Sequence, residues 1–551
     1  MAIKDSAWVG GGSRRARWIG TPRRGVAEWL FSLPLYPLTL GGRAPRALRM
    51  VPPDLWSGDR EKGARIAGGR FPFAGKTLAI PGFEALPPEL SGTASDFLHG
   101  FVWLRDLRAY GGEDAAPRAR ALIDGWLAHY GHWRAGAWAP HVLADRLVAW
   151  LSHFRFLAAD ADAAFTARLL GSLAVQTRHL RRTVKRRPPN ARSLRALKGL
   201  CYAALSLPGF ERHFETTMRG LEQEIARQVW PDGGHIERCP AIQADVLGDC
   251  LDLRALLLAG DQDVPDWLQG AIDRMPPLLR ALRHGDGGLA LFNGGNEGER
   301  ERLDALFAQA RARGKPLSSA PHTGFHRLAA GRAVVIVDAG PPPPPGADRK
   351  AHAGTLSFEF SVGRERIVVN CGAHPEAEAH WQGALRATAA HSALVVDDVN
   401  SADLVPGGGL GRRPVDVSTG RREFDGSLLI EASHDGYRRP FGLIHRRAVF
   451  LAADGEDVRG EDELTGPGGK TFAIRFHLHP RIQASLLAEG TGVLLRTAAG
   501  HGWKFRAEGG AVSLEDSVYL GDGTPRRTRQ IMVTGGLDGQ GALVKWRLNR
   551  A

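Results

Sequence analysis

Apolar residues recur three and four positions apart between about residue 93 and residue 312, and alternate with polar ones after about residue 322. The first pattern predicts amphipathic helices and the second β-strands. In Leu143, Leu147, Trp150, Leu151, Phe154 and Leu157 the steps place one apolar stripe along one helix face. Similar stripes run over 97–110, 118–130, 163–180, 194–206, 214–229, 242–259 and 267–283, divided by short breaks rich in Gly, Pro and Asp. Serial helix pairs of this kind predict a helical solenoid or a closed α/α toroid. Alternation over 333–339, 355–362, 366–371, 392–397, 427–433, 443–451, 472–478, 511–520, 529–534 and 542–548 predicts strands of an antiparallel β-sandwich. The helical pattern breaks at Arg-Gly-Lys-Pro-Leu-Ser-Ser-Ala-Pro, residues 313–321. The chain therefore reads as multidomain α+β: a basic arm and lead-in at 1–92, a helical toroid at 93–320 and a β-sandwich at 321–551. Pro341–Pro345 is either a docking ligand or a stiff connector between strands.

Length and composition agree with this division. A chain of 551 residues exceeds one ordinary domain, and 43% hydrophobic with 24% charged residues excludes wholesale disorder. The four cysteines, 201, 239, 250 and 371, lack the close pairing of a zinc knuckle or a disulfide framework. Lys and Arg outnumber Asp and Glu by 72 to 59, a formal charge of +13. Part of the excess is the N-terminal Arg14, Arg15, Arg17, Arg23 and Arg24. The apolar stretch Trp29–Leu40 that follows is interrupted by Pro34 and Pro37 and lacks a small-residue cleavage site, so it makes a poor signal peptide. No run reaches the roughly 18–20 apolar residues of a spanning helix, and the expectation is a soluble, cytoplasmic protein. The Trp18–Leu40 region either packs on the body as an arm or makes peripheral contact with an anionic membrane. The basic run RRTVKRRPP, 181–189, has no interleaved aromatics and reads as a solvated loop rather than a nucleic-acid contact.

Several segments together resemble the heparinase II/III group of polysaccharide lyases. They are FLHGFVWLRDL (97–107), AWAPHVLADRLVAWL (137–151), LKGLCYAALSLPG (197–209) and PDGGHIERCPAIQADVL (231–247) in the helical half. In the β half they are HAGTLSFEFSVGRERIVVNCG (352–372), RATAAHSALVVDD (386–398) and EASHDGYRRPFGLIHRR (431–447). The resemblance implies a toroid followed by a sandwich, an acidic polysaccharide ligand, β-elimination at a uronic acid, and a place in the cell envelope or periplasm. In that reaction a base removes the proton beside the carboxylate, an acid assists the leaving glycosidic oxygen, and polar groups neutralise the carboxylate.

The chain departs from the family pattern where the chemistry lies. Aligned on Lys198, the family's Asn-His pair falls on Ala191 and Arg192; aligned on Glu237 and Pro240, its tyrosine falls on Ile242. Neither isoleucine nor an always-protonated arginine transfers protons. Arg192 either neutralises a substrate carboxylate or is a solvated arginine at a helix start. His235 and Glu237 are the nearest titratable replacements, or else serve turn and helix-cap chemistry. Lys350, at the place of a family histidine, either binds a carboxylate or is a mobile surface lysine.

The family's zinc positions fall on His352, Asn370 and His391. Two imidazoles suit zinc, but an amide replaces the carboxylate, so the set is either a zinc site or a hydrogen-bonded cluster between the domains. Trp103 and Trp138, with Arg105 and Arg146, are the candidates for binding sugar rings and their acidic groups. His477 and His479 share one strand face with Arg475, as either a metal site or a groove-lining face, and NGGNEG at 293–298 reads as turns. Two functions compete: a uronate-polysaccharide lyase, and a noncatalytic carbohydrate-binding or envelope-associated scaffold that keeps the lyase fold.

Overall fold

The computed structural model describes residues 28–551 apart from 88, 89, 91, 185–187 and 374–378. The arginines read at 14–24 and the centre of the 181–189 basic run lie outside the described residues. The lead-in is more ordered than its composition suggests. Asp59 accepts from the backbone of Glu61 and Lys62 and starts helix α1 (Arg60–Ala67), which leads into the hairpin β1 (Arg70–Phe73) and β2 (Lys76–Ala79).

The toroid follows. The stripe predicted over 97–110 divides into α2 (Gly92–Gly100) and α3 (Leu104–Tyr110) at Phe101, whose φ of 56° is left-handed. Burial explains why a phenylalanine holds that conformation. Its ring packs 4.9 Å from Trp103, 5.2 Å from Trp150 and 6.2 Å from Trp126. The longer helices that follow are α4 (Ala115–Tyr130), α5 (Pro140–Ser152), α6 (Ala163–Thr183), α7 (Ala191–Ser206), α8 (Phe214–Gln228), α9 (Pro240–Ala259), α10 (Asp266–Ala281) and α11 (Arg300–Gln309), with a short helix at Phe154–Ala158 after α5. Helices α5 and α7 lie against each other at Gly199, where a Cβ would sit 2.6 Å from that of Ala144. Helix α9 is buried around most of its circumference, and its Asp249 and Asp252 bind Lys198 of α7 at 2.6 and 2.8 Å. No helix among the described residues is long and apolar enough to cross a membrane.

The β-domain begins with β3 (Ser319–Ala320). Its first sheet also contains β4 (Phe325–Ala330), β5 (Ala333–Asp338), β6 (Phe358–Val362), β7 (Glu365–Val369), β13 (Thr471–Leu478), β17 (Ala511–Tyr519) and β18 (Arg526–Gly536), with β8 (Leu394–Val396) paired to β13. The order is β17-β18-β13-β7-β6-β5-β4-β3. The second sheet comprises β9 (Val417–Phe424), β10 (Ser427–His434), β11 (Ile444–Leu451), β12 (Asp457–Thr465), β14 (Gln483–Leu486), β15 (Val493–Arg496), β16 (Gly502–Glu508) and β19 (Gly541–Arg550). Its order is β14-β15-β16-β19-β12-β11-β10-β9, antiparallel throughout. Leu428, Ile430 and Ala432 of β10 alternate into the shared core with Val449 and Leu451 of β11.

Buried polar contacts join the halves, among them those of Arg238 and His284. Arg238, in the loop between α8 and α9, donates to Thr323 O at 2.6 Å, to Pro341 O at 2.7 Å and to the Asp338 carboxylate, and its guanidinium lies 4.9 Å from the Phe325 ring centre. His284, just after α10, bonds Glu359 of β6 at 2.9 Å and Ser361 at 2.8 Å. Pro341–Pro345 is thus the connector between β5 and β6, anchored at its first carbonyl by the helical domain.

An unpaired buried charge is costly, so Arg238→Ala is expected to lower unfolding free energy by about 3–5 kcal/mol. Arg168→Ala, which breaks the exposed pair with Asp124, is expected to change it by less than about 1 kcal/mol. Denaturant titration of both variants checks this; a wild-type midpoint for the Arg238 variant contradicts it.

Candidate functional site

Charged residues of the toroid and of the β-domain come together around the start of α7. Asn190 caps α7 through a reciprocal pair of bonds with Ser193, with Ala191 and Arg192 between them. Arg192 Nη2 lies 3.3 Å from Asp96 Oδ2 on α2, and the same oxygen is 2.9 Å from His141 Nε2 on α5. Lys350 enters from the β-domain. Its charge acts on both Asp96 and Glu237, and its backbone packs on Gly294 of the helical domain.

Proton affinities divide these groups. Burial raises Asp96, but the His141 bond and the charges of Arg192 and Lys350 outweigh it and hold the carboxyl below its ordinary range. Burial lowers His141, with Arg192 adding to the effect against the Asp96 bond, so the imidazole is neutral at neutral pH. One turn along α5, burial pushes Asp145 up to about 6 against the pull of Arg195 and Lys198. Glu237 is raised by burial, opposed by the Ala191 bond and by Lys350 and Arg192.

Glu237 and His235 each make local structural contacts. Glu237 Oε1 accepts the backbone N–H of Ala191 at 2.8 Å and so caps the start of α7. His235 is buried, bonded through Nε2 to Gln228 at 3.0 Å, accepts the Glu237 N–H at Nδ1, and is pushed down to about 3 by burial. Turn and helix-cap chemistry, one of the two readings of this pair, describes both contacts.

The four residues read as sugar binders need correction. Trp103 and Trp138 are buried, donate their indole N–H to Leu98 O and Tyr130 O, and expose no ring face for a sugar. Arg146 is fully buried beneath the Trp126 ring, donating to Gln176 and to the carbonyls of His99 and Ala137. Arg105 holds the lead-in through two bonds to Asp54. Apolar helical faces made these side chains visible in the sequence, and the same faces bury them. Asp96 and His141 were missed, although His141 lies inside a segment that carries the family resemblance. The signal was an imidazole directly after the helix-starting Pro140.

The zinc positions gather without making a zinc site. His352 Nδ1 lies 3.0 Å from His391 Nε2, and His391 Nδ1 is 2.8 Å from Ala387 O. Asn370 is tied in through the backbone: its Oδ1 accepts from Ser392 N at 2.9 Å and its Nδ2 donates to Glu359 at 3.2 Å. Both ends of the amide are committed and the imidazoles bond to each other, a donor set that does not fit a divalent zinc ion. Among the described residues no group of three His, Cys, Asp or Glu is arranged to hold a metal. His477 turns inward to Ser517 and the Ala389 carbonyl, so it does not form a pair with His479. NGGNEG is more than a turn: Asn293 accepts from His352 N at 3.3 Å and donates to Arg238 O at 3.1 Å, joining cluster and clamp.

Burial pushes His391 down to about 4 and lowers His352 further. The unfolded chain therefore takes up protons below the ordinary histidine pKa of about 6.5, whereas the folded one does so only nearer 4. Stability is expected to be highest above 6.5 and to fall as pH drops from there toward 4. The slope is up to about 1.4 kcal/mol per pH unit for each such histidine. Thermal midpoints measured across that window check the sign; a midpoint that rises on acidification contradicts it. Elemental analysis after chelator-free purification is expected to find well under one zinc per chain.

Comparison with known proteins agrees with the architecture. Residues 312–547 match the family model described as heparinase II/III-like, C-terminal. The chain is 33% identical over 547 residues to FtsZ-localized protein C of Caulobacter vibrioides, covering 95% of this chain and 94% of that protein. Among solved structures, heparinase III superposes with a TM-score of 0.73 at 14% identity, over 97% of this chain and 92% of that one. Heparan sulfate lyase HepC from Pedobacter heparinus gives 0.58 at 15% identity, over 94% and 87%. With its toroid, its antiparallel sandwich and a full-length relative at this identity, the chain belongs to the heparinase II/III-like family.

Proposed function

We propose that this protein is a scaffold of the heparinase II/III-like fold that binds an acidic, uronate-containing glycan in the interdomain cleft without the family's proton-transfer set. We propose further that it localises with FtsZ, as the name of its Caulobacter vibrioides relative states for that protein. One observation carries the reading. The positions where the family resemblance puts acid and base hold Ala191, Arg192 and Ile242, while the two nearest substitutes, Glu237 and His235, are committed to a helix cap and a buried hydrogen bond. Cations stand on both sides, Arg192 beside Asp96 on one wall and Lys350 on the other. A guanidinium beside an ammonium grips a carboxylate well.

A second reading, lyase activity by β-elimination, draws support from α5. His141 is neutral and bonded to Asp96, and Asp145, pushed up to about 6, follows one turn later. Two groups whose environments pull their proton affinities apart can divide base and acid roles.

A panel of uronate polymers separates the readings when ultraviolet absorbance of the unsaturated product and binding are measured together. The scaffold reading expects binding without absorbance, and a loss of at least about tenfold in affinity, about 1.4 kcal/mol, for Arg192→Ala combined with Lys350→Ala. Product formation that disappears in His141→Ala replaces this reading with the lyase. For localisation, a fluorescent fusion is expected to follow FtsZ and to disperse when FtsZ is depleted; a pattern indifferent to FtsZ contradicts that part.

A further inference from the structure

A second basic concavity lies on the outer side of the toroid. Residues 39–48 form one wall, the C-terminal end of α6 a second, and the turn entering α8 a third, around about 1710 Å³. On α7, Ser193, Leu197 and Leu200 line it; this stripe is rotated from the one bearing Arg192 and Arg195. The groove is therefore separate from the interdomain cleft.

Its wall is held in place by arginines that bind backbone rather than acid. Arg178 donates to Leu40 O at 3.1 Å and Arg43 O at 2.8 Å, and Arg182 donates to the Thr39 hydroxyl at 2.7 Å. Arg181, half-buried between them in sequence, makes no hydrogen bond or ion pair among the described residues, and exposed Arg212 contacts only the neighbouring His213 ring. Burial lowers the proton affinity of Arg181, and the charges of Arg212 and Arg182 lower it further. Burial likewise lowers His213, with Arg181 and Arg212 adding to it. The lining's one carboxylate, Glu224, is already shared by Ser193, Gln228 and Arg227. Converging guanidiniums with no counter-charge repel one another, and an anion removes that repulsion.

We infer that this groove binds a soluble ligand carrying several closely spaced phosphate groups. Two guanidiniums without an acidic partner, Arg181 and Arg212, call for more than the single charge of one carboxylate, and a phosphate offers up to two charges with oxygens matched to the guanidinium fork. The concave shape favours a discrete molecule over a bilayer, whose headgroups lie in a plane.

The test is isothermal titration of sodium tripolyphosphate into the full chain at about 150 mM salt, where exposed long-range attraction is screened. Wild-type protein is expected to bind, and inorganic phosphate to bind more weakly. Arg181→Ala combined with Arg212→Ala is expected to reduce affinity at least tenfold, while Arg496→Ala on distant β15 leaves it unchanged. Circular dichroism checks each fold. If the double variant is misfolded, Arg212→Ala alone, at an exposed position, is still expected to weaken binding about threefold or more. Absence of wild-type binding, or unchanged affinity in the Arg212 variant, overturns the inference. So does tighter binding of poly-glutamate than of tripolyphosphate. Vesicles of anionic phospholipid that bind through Arg181 and Arg212 and are not displaced by tripolyphosphate assign the groove to a membrane instead.

Discussion

The guanidinium of Arg238 is a buried tie between the toroid and the sandwich. It leaves a loop whose backbone at that residue is left-handed, with φ of 50°, and reaches three acceptors in the β-domain. Burial raises the proton affinity of its partner Asp338, while the arginine's charge and hydrogen bond oppose that rise. Neither charge is tolerable alone in the interior, so the loop conformation and the interdomain pose are set together. Glu237 and His235 occupy the same loop. What holds the domains together therefore also positions the residues nearest the cleft.

This coupling explains why the cleft keeps its shape without the family's proton-transfer groups. Around the zinc positions, Asn293 links the Arg238 carbonyl to the backbone of His352. Glu359 gathers His284, Leu291 N and both nitrogens of Asn370. Hydrogen bonds link the residues at the place where the resemblance implied an ion. Neutral buried imidazoles suit such a network, because each presents one donor and one acceptor.

The division into helical and β halves was legible because core-facing residues repeat with periods near 3.6 and 2. Elements that escaped the pattern did so for local reasons. Strand β12 carries Asp457, Arg459, Glu461, Asp462 and Glu463, which mask its alternation; yet Asp462 is buried because it pairs with Arg447 and His445 of β11. Edge strand β9 is exposed along most of its length and has little apolar face to display. Within the site, the segments around Arg192, Glu237, Lys350 and His352 were recognisable by family resemblance, and of these Lys350 lies close enough for its charge to act on Glu237 and Asp96. Asp96 and His141 were not, because their significance lies in a contact across 45 residues that local pattern does not encode. The tryptophans misled for the converse reason: ring size signals binding and burial alike, and only packing separates them.

In the proposed function the cleft grips an acidic glycan with Arg192 and Lys350 and leaves it intact. A crystal structure after prolonged soaking with a saturated uronate tetrasaccharide tests it directly. The account predicts an unbroken chain in the cleft with a carboxylate lying between those two cations. A cleaved chain, with an unsaturated ring beside His141, would contradict it.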